Sequence, residues 1–221
     1  MFNFKVKEVL RAKRLNKNTY HLYVRWDEKP PVGTFFMVWL PGFEAIPLSV
    51  SGWYRGAVRF TIQVRGPTTK ALFWATKVGL MGPLGREAPP PLGKPTLVAG
   101  GIGIAPLLYM YEEWGGTLLY GGRSAKDLIP VEGAIISTDD GSKGKKGTVL
   151  DLLEEVGAKR DIYACGPPAM LKALGQMSRE KDLRGYGSTE TMVKCGMGIC
   201  GACAISKRLL CKEPWIPLRE I

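Results

Sequence analysis

The chain has 221 residues, 45% of them hydrophobic and 23% charged, with a formal net charge of +11. Such a length and composition suit one large globular domain or two modest ones and exclude a disordered polymer. The positive charges are scattered as Lys5, Lys7, Arg11, Lys13, Arg14 and Lys17, then Lys143, Lys145 and Lys146, then Arg179, Lys181 and Arg184. With no basic block interleaved with aromatics, they argue against a nucleic-acid binder and for a solvated basic surface.

No apolar run reaches the ~18 residues of a membrane span. The start MFNFKVKEVL lacks the apolar core and cleavage site of a signal peptide. A cytoplasmic protein is expected. Its five cysteines then point to metal ligands or buried thiols rather than to a disulfide framework.

Residues 1–90 read as all-β. Phe2, Phe4, Val6 and Glu8 alternate with Asn3, Lys5 and Lys7, and Tyr20, Leu22 and Val24 alternate with His21 and Tyr23. Thr34–Leu40 is an apolar run between Gly33 and Pro41-Gly42, and Val58, Phe60, Ile62 and Val64 alternate before Gly66-Pro67. Short strands punctuated by glycine and proline suggest a small closed barrel, because closure removes the sheet edges. One helix, over Thr69–Lys77, is expected to cover a barrel end. His21, the only histidine, reads as a surface strand residue and not as a catalyst.

The proline run Pro89-Pro90-Pro91 ends the barrel, since proline cannot continue a ladder. Beyond it the pattern becomes strand, glycine turn, helix over residues 95–187. Thr96–Ala99, Thr117–Tyr120, Ala134–Ser137 and Asp161–Cys165 read as buried strands, with helices over Val149–Val156 and around Ala169–Leu174. Strands alternating with helices imply a mostly parallel sheet covered on both faces. Such sheets bind ligands beyond the carboxyl ends of their strands. There lie Gly100-Gly101-Ile102-Gly103-Ile104-Ala105-Pro106, Gly121-Gly122-Arg123 and Cys165-Gly166-Pro167-Pro168. Glycines admit a pyrophosphate close to the backbone, and a following helix turns free N–H groups toward it. The first string is not the dinucleotide fingerprint G-x-G-x-x-G, and alone it equally describes a tight turn. Three turns at one sheet edge strengthen the nucleotide reading. Arg123 is a candidate phosphate or ribose partner as well as an ordinary surface arginine.

Residues 189–221 are too few for a core of their own and call for a metal or a host domain. Cys195, Cys200 and Cys203 have the C-x4-C-x2-C spacing of plant-type [2Fe–2S] sites, and Cys211 supplies a fourth thiolate. Gly196, Gly198 and Gly201 let the backbone wind closely around such a cluster. A zinc site is the alternative, but zinc knuckles favour paired C-x2-C hooks and only one is present. A [4Fe–4S] cluster on the same thiolates also stays open. Cys165 stands apart, either an inert core thiol or a ligand-facing one.

Taken together, these residues resemble the ferredoxin-reductase-like electron-transfer subunits, above all that of NAD-dependent dihydroorotate dehydrogenase. The resemblance spans nearly the whole chain and rests on Gly33–Phe36, Pro47–Val50, Gly82–Gly85, Gly100–Pro106, Cys165–Pro167 and the four cysteines. It implies a flavin-binding β-barrel (1–90), a parallel-sheet nicotinamide domain (95–187) and a C-terminal [2Fe–2S] segment (189–221). By the same resemblance Pro47, Leu48, Ser49 and Val50 would meet the FAD ring and ribityl chain, and Gly66, Thr68 and Thr69 its pyrophosphate. Gly101, Gly103, Cys165, Gly166 and Pro167 would hold NAD(H). Two positions depart from the family pattern: Ile46 stands where an arginine usually precedes the proline, and Thr68-Thr69 replaces a glycine–threonine pair. Arg55, Arg59 and Arg65 are the candidates to supply the missing charge.

The implied partner is an FMN-containing dihydroorotate dehydrogenase catalytic subunit, in a hetero-oligomer of pyrimidine biosynthesis whose electrons run from the partner's flavin through the cluster and FAD to NAD. The rival within the same fold is the flavin subunit of an NAD(P)H-linked sulfhydrogenase or ferredoxin–NADP reductase complex. A zinc-bearing nucleic-acid adaptor is the reading from another class.

Overall fold

The computed structural model describes residues 3–205 and 208–221. Met1, Phe2, Ser206 and Lys207, which fall within the expected barrel and cluster segments, lie outside them. The chain divides into two compact units, residues 1–88 with 191–214 and residues 89–190 with 215–221.

The first unit is a closed antiparallel barrel. Its strands are β1 (Lys5–Arg14), β2 (Thr19–Arg25), β3 (Phe35–Trp39), β4 (Ile46–Tyr54), β5 (Ala57–Gln63) and β6 (Lys77–Leu84). They close in the order β1-β2-β5-β4-β3-β6. Alternation decides which side chains fill it: Leu22 and Val24, Phe36 and Val38, Val58, Phe60 and Leu80 are fully buried. Phe36 sits edge-on to Trp26 (ring centroids 4.9 Å apart) and to Phe60 (5.8 Å), the geometry favoured by ring quadrupoles. A two-residue hairpin joins β4 to β5 through Arg55 (φ 47°) and Gly56 (φ 78°). Its two left-handed residues match the twist of the strands they link.

The helix expected over Thr69–Lys77 forms earlier and is shorter. Helix α1 spans Pro67–Ala71 and tightens into a 3-10 turn over Leu72–Trp74, leaving Lys77 to open β6. Pro67 at the first helical position fixes the start, because its missing N–H would have no partner there and its ring presets φ. The Thr69 hydroxyl accepts from Gly66 N (3.1 Å) and from Arg65 N (2.9 Å), which draws the turn shut.

In the second unit the elements run β7 (Thr96–Gly100), α2 (Ile104–Trp114), β8 (Thr117–Gly122), β9 (Ile135–Thr138), β10 (Lys145–Lys146), α3 (Val149–Val156), β11 (Ile162–Gly166), α4 (Pro168–Lys181) and β12 (Gly185–Thr189). After two short strands that belong with the barrel unit, β13 (Ala204–Ile205) and β14 (Arg208–Leu209), β15 (Ile216–Pro217) returns to this sheet. The order is β10-β9-β8-β7-β11-β12-β15, parallel except for β15. Strand β7 has β8 on one side and β11 on the other. The chain therefore reverses its direction of winding at β7, and the crevice beyond its carboxyl end is where such sheets take ligands. Val98, Leu119, Ile162 and Ala164 on the strands pack with Leu152, Leu153, Leu171 and Leu174 on the helices as one core. Among the described residues no helix is long and apolar enough to cross a membrane.

Candidate functional site

The expected nucleotide turns do meet at the carboxyl ends of the sheet. Gly101–Gly103 forms a 3-10 turn that runs directly into α2. Gly103 lies so close to β11 that a β-carbon there would strike the Cys165 carbonyl and the Gly166 nitrogen. Gly101 (φ 54°) faces open space, where a ligand phosphate would have room. Gly121 and Gly122 end β8 one strand over, in register with Gly100 and Thr138. The Arg123 guanidinium is highly exposed and lies 3.9 Å from Asp127. Cys165 is buried at the end of β11, and desolvation, with the nearby Glu190 adding, pushes its thiol up to about 12. Pro167 opens α4.

On the barrel, Pro47, Leu48 and Ser49 are half-buried and Val50 is buried. They pair with β3 as Met37↔Pro47, Phe36↔Leu48 and Phe35↔Ser49. The register of β4 on β5, from Tyr54↔Ala57 to Val50↔Phe60, runs Pro47–Ser49 toward the end of β5 that enters the Gly66–Thr69 turn. Both expected flavin contacts thus lie at one end of the barrel, and Gly66 borders open space. The three candidate arginines differ. Arg55 is in the far hairpin, its guanidinium 4.9 Å over the Tyr54 ring. Arg59 binds the Ser51 carbonyl and lies 3.4 Å from its hydroxyl, pinning the bulge that follows Val50. Arg65, which also bonds Gln63 Oε1 at 2.8 Å, directly precedes Gly66.

His21 belongs to the barrel wall. Its Nδ1 lies 3.1 Å from Thr61 Oγ1, and burial, with the charges of Arg59 and Lys13, lowers its pKa to about 4.

The cysteine loop packs against the same barrel. Gly196 (φ 68°) presses on Met37 of β3 and Leu84 of β6 so closely that a β-carbon would overlap both. Arg86 N donates to the Lys212 carbonyl (2.8 Å), and Glu213 takes Arg208 at 2.6 Å and Arg86 at 3.6 Å. Four of the five cysteines, Cys195, Cys200, Cys203 and Cys211, belong to this segment. Backbone N–H groups point at the sulfurs: Met197 N to Cys195 Sγ and Cys211 N to Cys203 Sγ, each 3.4 Å. Donors from Cys200, Met197 and Ile199 lower the Cys195 thiol to about 6, whereas desolvation and the Cys203 thiol raise Cys211 to about 11. Among the described residues no group of three or more His, Cys, Asp and Glu side chains surrounds one ion position. Cys200 is exposed; Cys203 and Cys211 are buried.

Sequence reasoning missed Met37. It is 1% exposed although it points outward from β3, being covered by Gly196, and it faces Pro47 across the ladder. One side chain thus touches the cysteine loop and neighbours the expected flavin motif. Alternation alone carried the signal, since Phe35, Met37 and Trp39 form an apolar outer stripe that needs a cover.

No model of a known protein family matches the sequence. A protein of Archaeoglobus fulgidus named "probable dihydroorotate dehydrogenase B (NAD(+)), electron transfer subunit" is 37% identical over 91% of each chain. One of the same name from Pyrococcus abyssi is 38% identical over 86% of this chain and 80% of its own. Among solved structures, that of an NADH-dependent reduced ferredoxin–NADP oxidoreductase superposes with a TM-score of 0.84 at 25% identity, covering 98% of this chain and 89% of that one. The ferredoxin reductase of a carbazole 1,9a-dioxygenase shares the fold at 0.72, over 81% of this chain and 66% of its own. The chain belongs to the family of NAD(+)-dependent dihydroorotate dehydrogenase electron-transfer subunits, oxidoreductase components built on a ferredoxin-reductase-like fold.

Proposed function

We propose that this chain carries electrons between NAD(H) and a partner flavoprotein through FAD and a [2Fe–2S] cluster, as part of a cytoplasmic complex oxidising dihydroorotate to orotate. The observation that carries the proposal is the four-cysteine loop on the barrel wall. A diiron cluster asks for four protein sulfurs, and the segment carries four, Cys195, Cys200, Cys203 and Cys211, with backbone N–H groups already on two of them. An FAD between nicotinamide and cluster would convert a two-electron hydride transfer into single-electron steps.

The chain's own residues have defined parts in this reading. Gly101 and Gly103 bring backbone N–H groups within reach of the NAD(H) pyrophosphate, and Cys165-Gly166-Pro167 walls the opposite side. Pro47, Leu48, Ser49 and Val50 hold the flavin ring, Ser49 with a hydroxyl, while Gly66, Thr68 and Thr69 receive the flavin phosphates. Arg65, next to that turn, supplies the charge that Ile46 does not. R65M should weaken flavin binding about tenfold or more, the cost of a charge-assisted hydrogen bond. Unchanged flavin retention in R65M would sink that assignment. Met37 excludes water between Pro47 and the cysteine loop. The N–H donors around Cys195 and Cys203 stabilise negative charge on sulfur.

The similarity to the NADH-dependent ferredoxin–NADP oxidoreductase, over 98% of the chain, favours a second reading, a flavin subunit in that type of complex or in a sulfhydrogenase. Purification of the native complex without air separates the two. Iron, sulfide and flavin per chain are measured and the companion subunit is identified. An FMN-containing companion supports the first reading, and a nickel or iron–sulfur companion the second. Zinc on the four cysteines, with no sulfide, would refute both.

A further inference from the structure

The sheet of the second unit has another concavity, at the end opposite the glycine turns. It opens beside the amino ends of β11 and β12 and has a volume of about 660 Å³, within the range of small-molecule sites. One wall is aromatic: the rings of Tyr163 and Tyr186 lie 5.9 Å apart at 30°. The Tyr163 hydroxyl donates to the Pro89 carbonyl at 2.5 Å, which ties down the proline segment and leaves the half-buried Tyr186 as the adaptable face. Pro90 of that segment faces the same space.

The other wall carries Arg160, Arg184 and Arg219. Arg184 and Arg219 share one carboxylate, that of Asp182. The carboxylate of Asp161, a residue held at φ 52°, is occupied by the Leu92 N–H at 3.1 Å. Arg160 has no hydrogen-bond or ion-pair partner among the described residues. The concavity therefore has positive charge in excess on one side and a flat apolar surface on the other.

We propose that this is a second ligand site, for a nucleoside monophosphate. The phosphate dianion lies on Arg160 and bridges to Arg184 and Arg219, whose planar guanidinium forks can each take two of its oxygens. The base stacks on Tyr186 against Pro90. The site is separate from the glycine turns, which lie at the other ends of the same strands, so its occupancy can report on a nucleotide pool without competing for NAD(H).

Calorimetric titration of the full chain with AMP, adenosine and inorganic phosphate tests this. AMP should bind, with adenosine and phosphate each weaker by about tenfold or more, because each retains only half of the contacts. R160M and Y186L should each weaken AMP by a similar factor while leaving NAD(H) affinity unchanged. Arg160 is exposed and unpaired, so R160M keeps the fold, which its melting temperature checks. R123M, at the glycine-turn end, should leave AMP binding as it was. Absence of AMP binding at millimolar concentration, AMP affinity untouched by both R160M and Y186L, or phosphate binding as tightly as AMP would each overturn the proposal.

Discussion

Gly103 has little freedom at the nucleotide turn, although its backbone is ordinary. Its φ of −57° lies in the region open to every residue, so alanine there would gain about 0.5–1 kcal/mol of backbone entropy. The opposing effect is steric: the new carbon would enter the Cys165 carbonyl and the Gly166 nitrogen, both fixed in β11. Overpacking against backbone costs about 1–3 kcal/mol, so the clash wins. G103A should melt several degrees lower and bind NAD(H) more weakly, whereas an unchanged melting temperature would mean that β7 and β11 can part freely. His21 yields a second expectation at this scale. Its folded pKa of about 4 lies below the ordinary 6.5, so between those values the unfolded chain binds more protons than the folded one. The stability is present above pH ~6.5 and is lost as pH falls toward 4. The side chain is partly solvated, so the loss is on the order of 1–2 kcal/mol. Melting temperature against pH should decline more steeply over this window in the native chain than in H21Q; parallel curves would show that His21 has the same pKa folded and unfolded.

Helix α3 is the element whose sequence signals are most complete. Thr148 caps it by accepting from Asp151 N (3.3 Å), and Asp151 returns the bond to Thr148 N (2.6 Å), which with the Thr148 hydroxyl holds the carboxyl below its usual range. T148A removes one half of this reciprocal pair and should cost about 1 kcal/mol, a fall of about 2–4 °C in melting temperature. No change would mean that packing of Leu152 and Leu153 alone fixes the helix start. The bounds Val149–Val156 were legible in the sequence because cap, apolar spacing and terminal glycine agree. Strands β1, β2 and β5 were legible through alternation and β3, β7 and β11 through apolar runs, whereas β4 and β6, interrupted by proline, glycine and serine, were not. Helix α1 was displaced from its expected position because Pro67 starts it and Leu72–Trp74 tightens it, a local effect no periodicity records. Two-residue strands such as β13, β14 and β15 have no period at all, so the sequence pattern cannot say that residues 191–214 join the barrel unit and 215–221 the sheet. The same holds within the site. Cysteine spacing picks out candidate thiolates, yet how they are placed depends on how the chain returns through β14, and the cover over Met37 depends on the loop settling on β3.

At the scale of the whole chain, the +11 charge is a property of the field and not of the fold. Local salt links such as Arg25–Glu8 and Arg86–Glu213 pair exposed or half-buried groups near the surface and contribute little each, but the 31 Lys and Arg against 20 Asp and Glu sum to a long-range potential. Such a potential speeds encounter with an acidic surface and is screened over about 10 Å at ordinary ionic strength. Contacts made after docking, by contrast, set the dissociation rate and respond weakly to salt. Association with the proposed flavoprotein partner should therefore slow by roughly tenfold between about 50 and 500 mM salt, with dissociation changed far less. Stopped-flow mixing of the separated subunits measures both rates. If association were indifferent to salt, the excess charge would face away from the docking surface, and recognition would rest on short-range apolar contact alone.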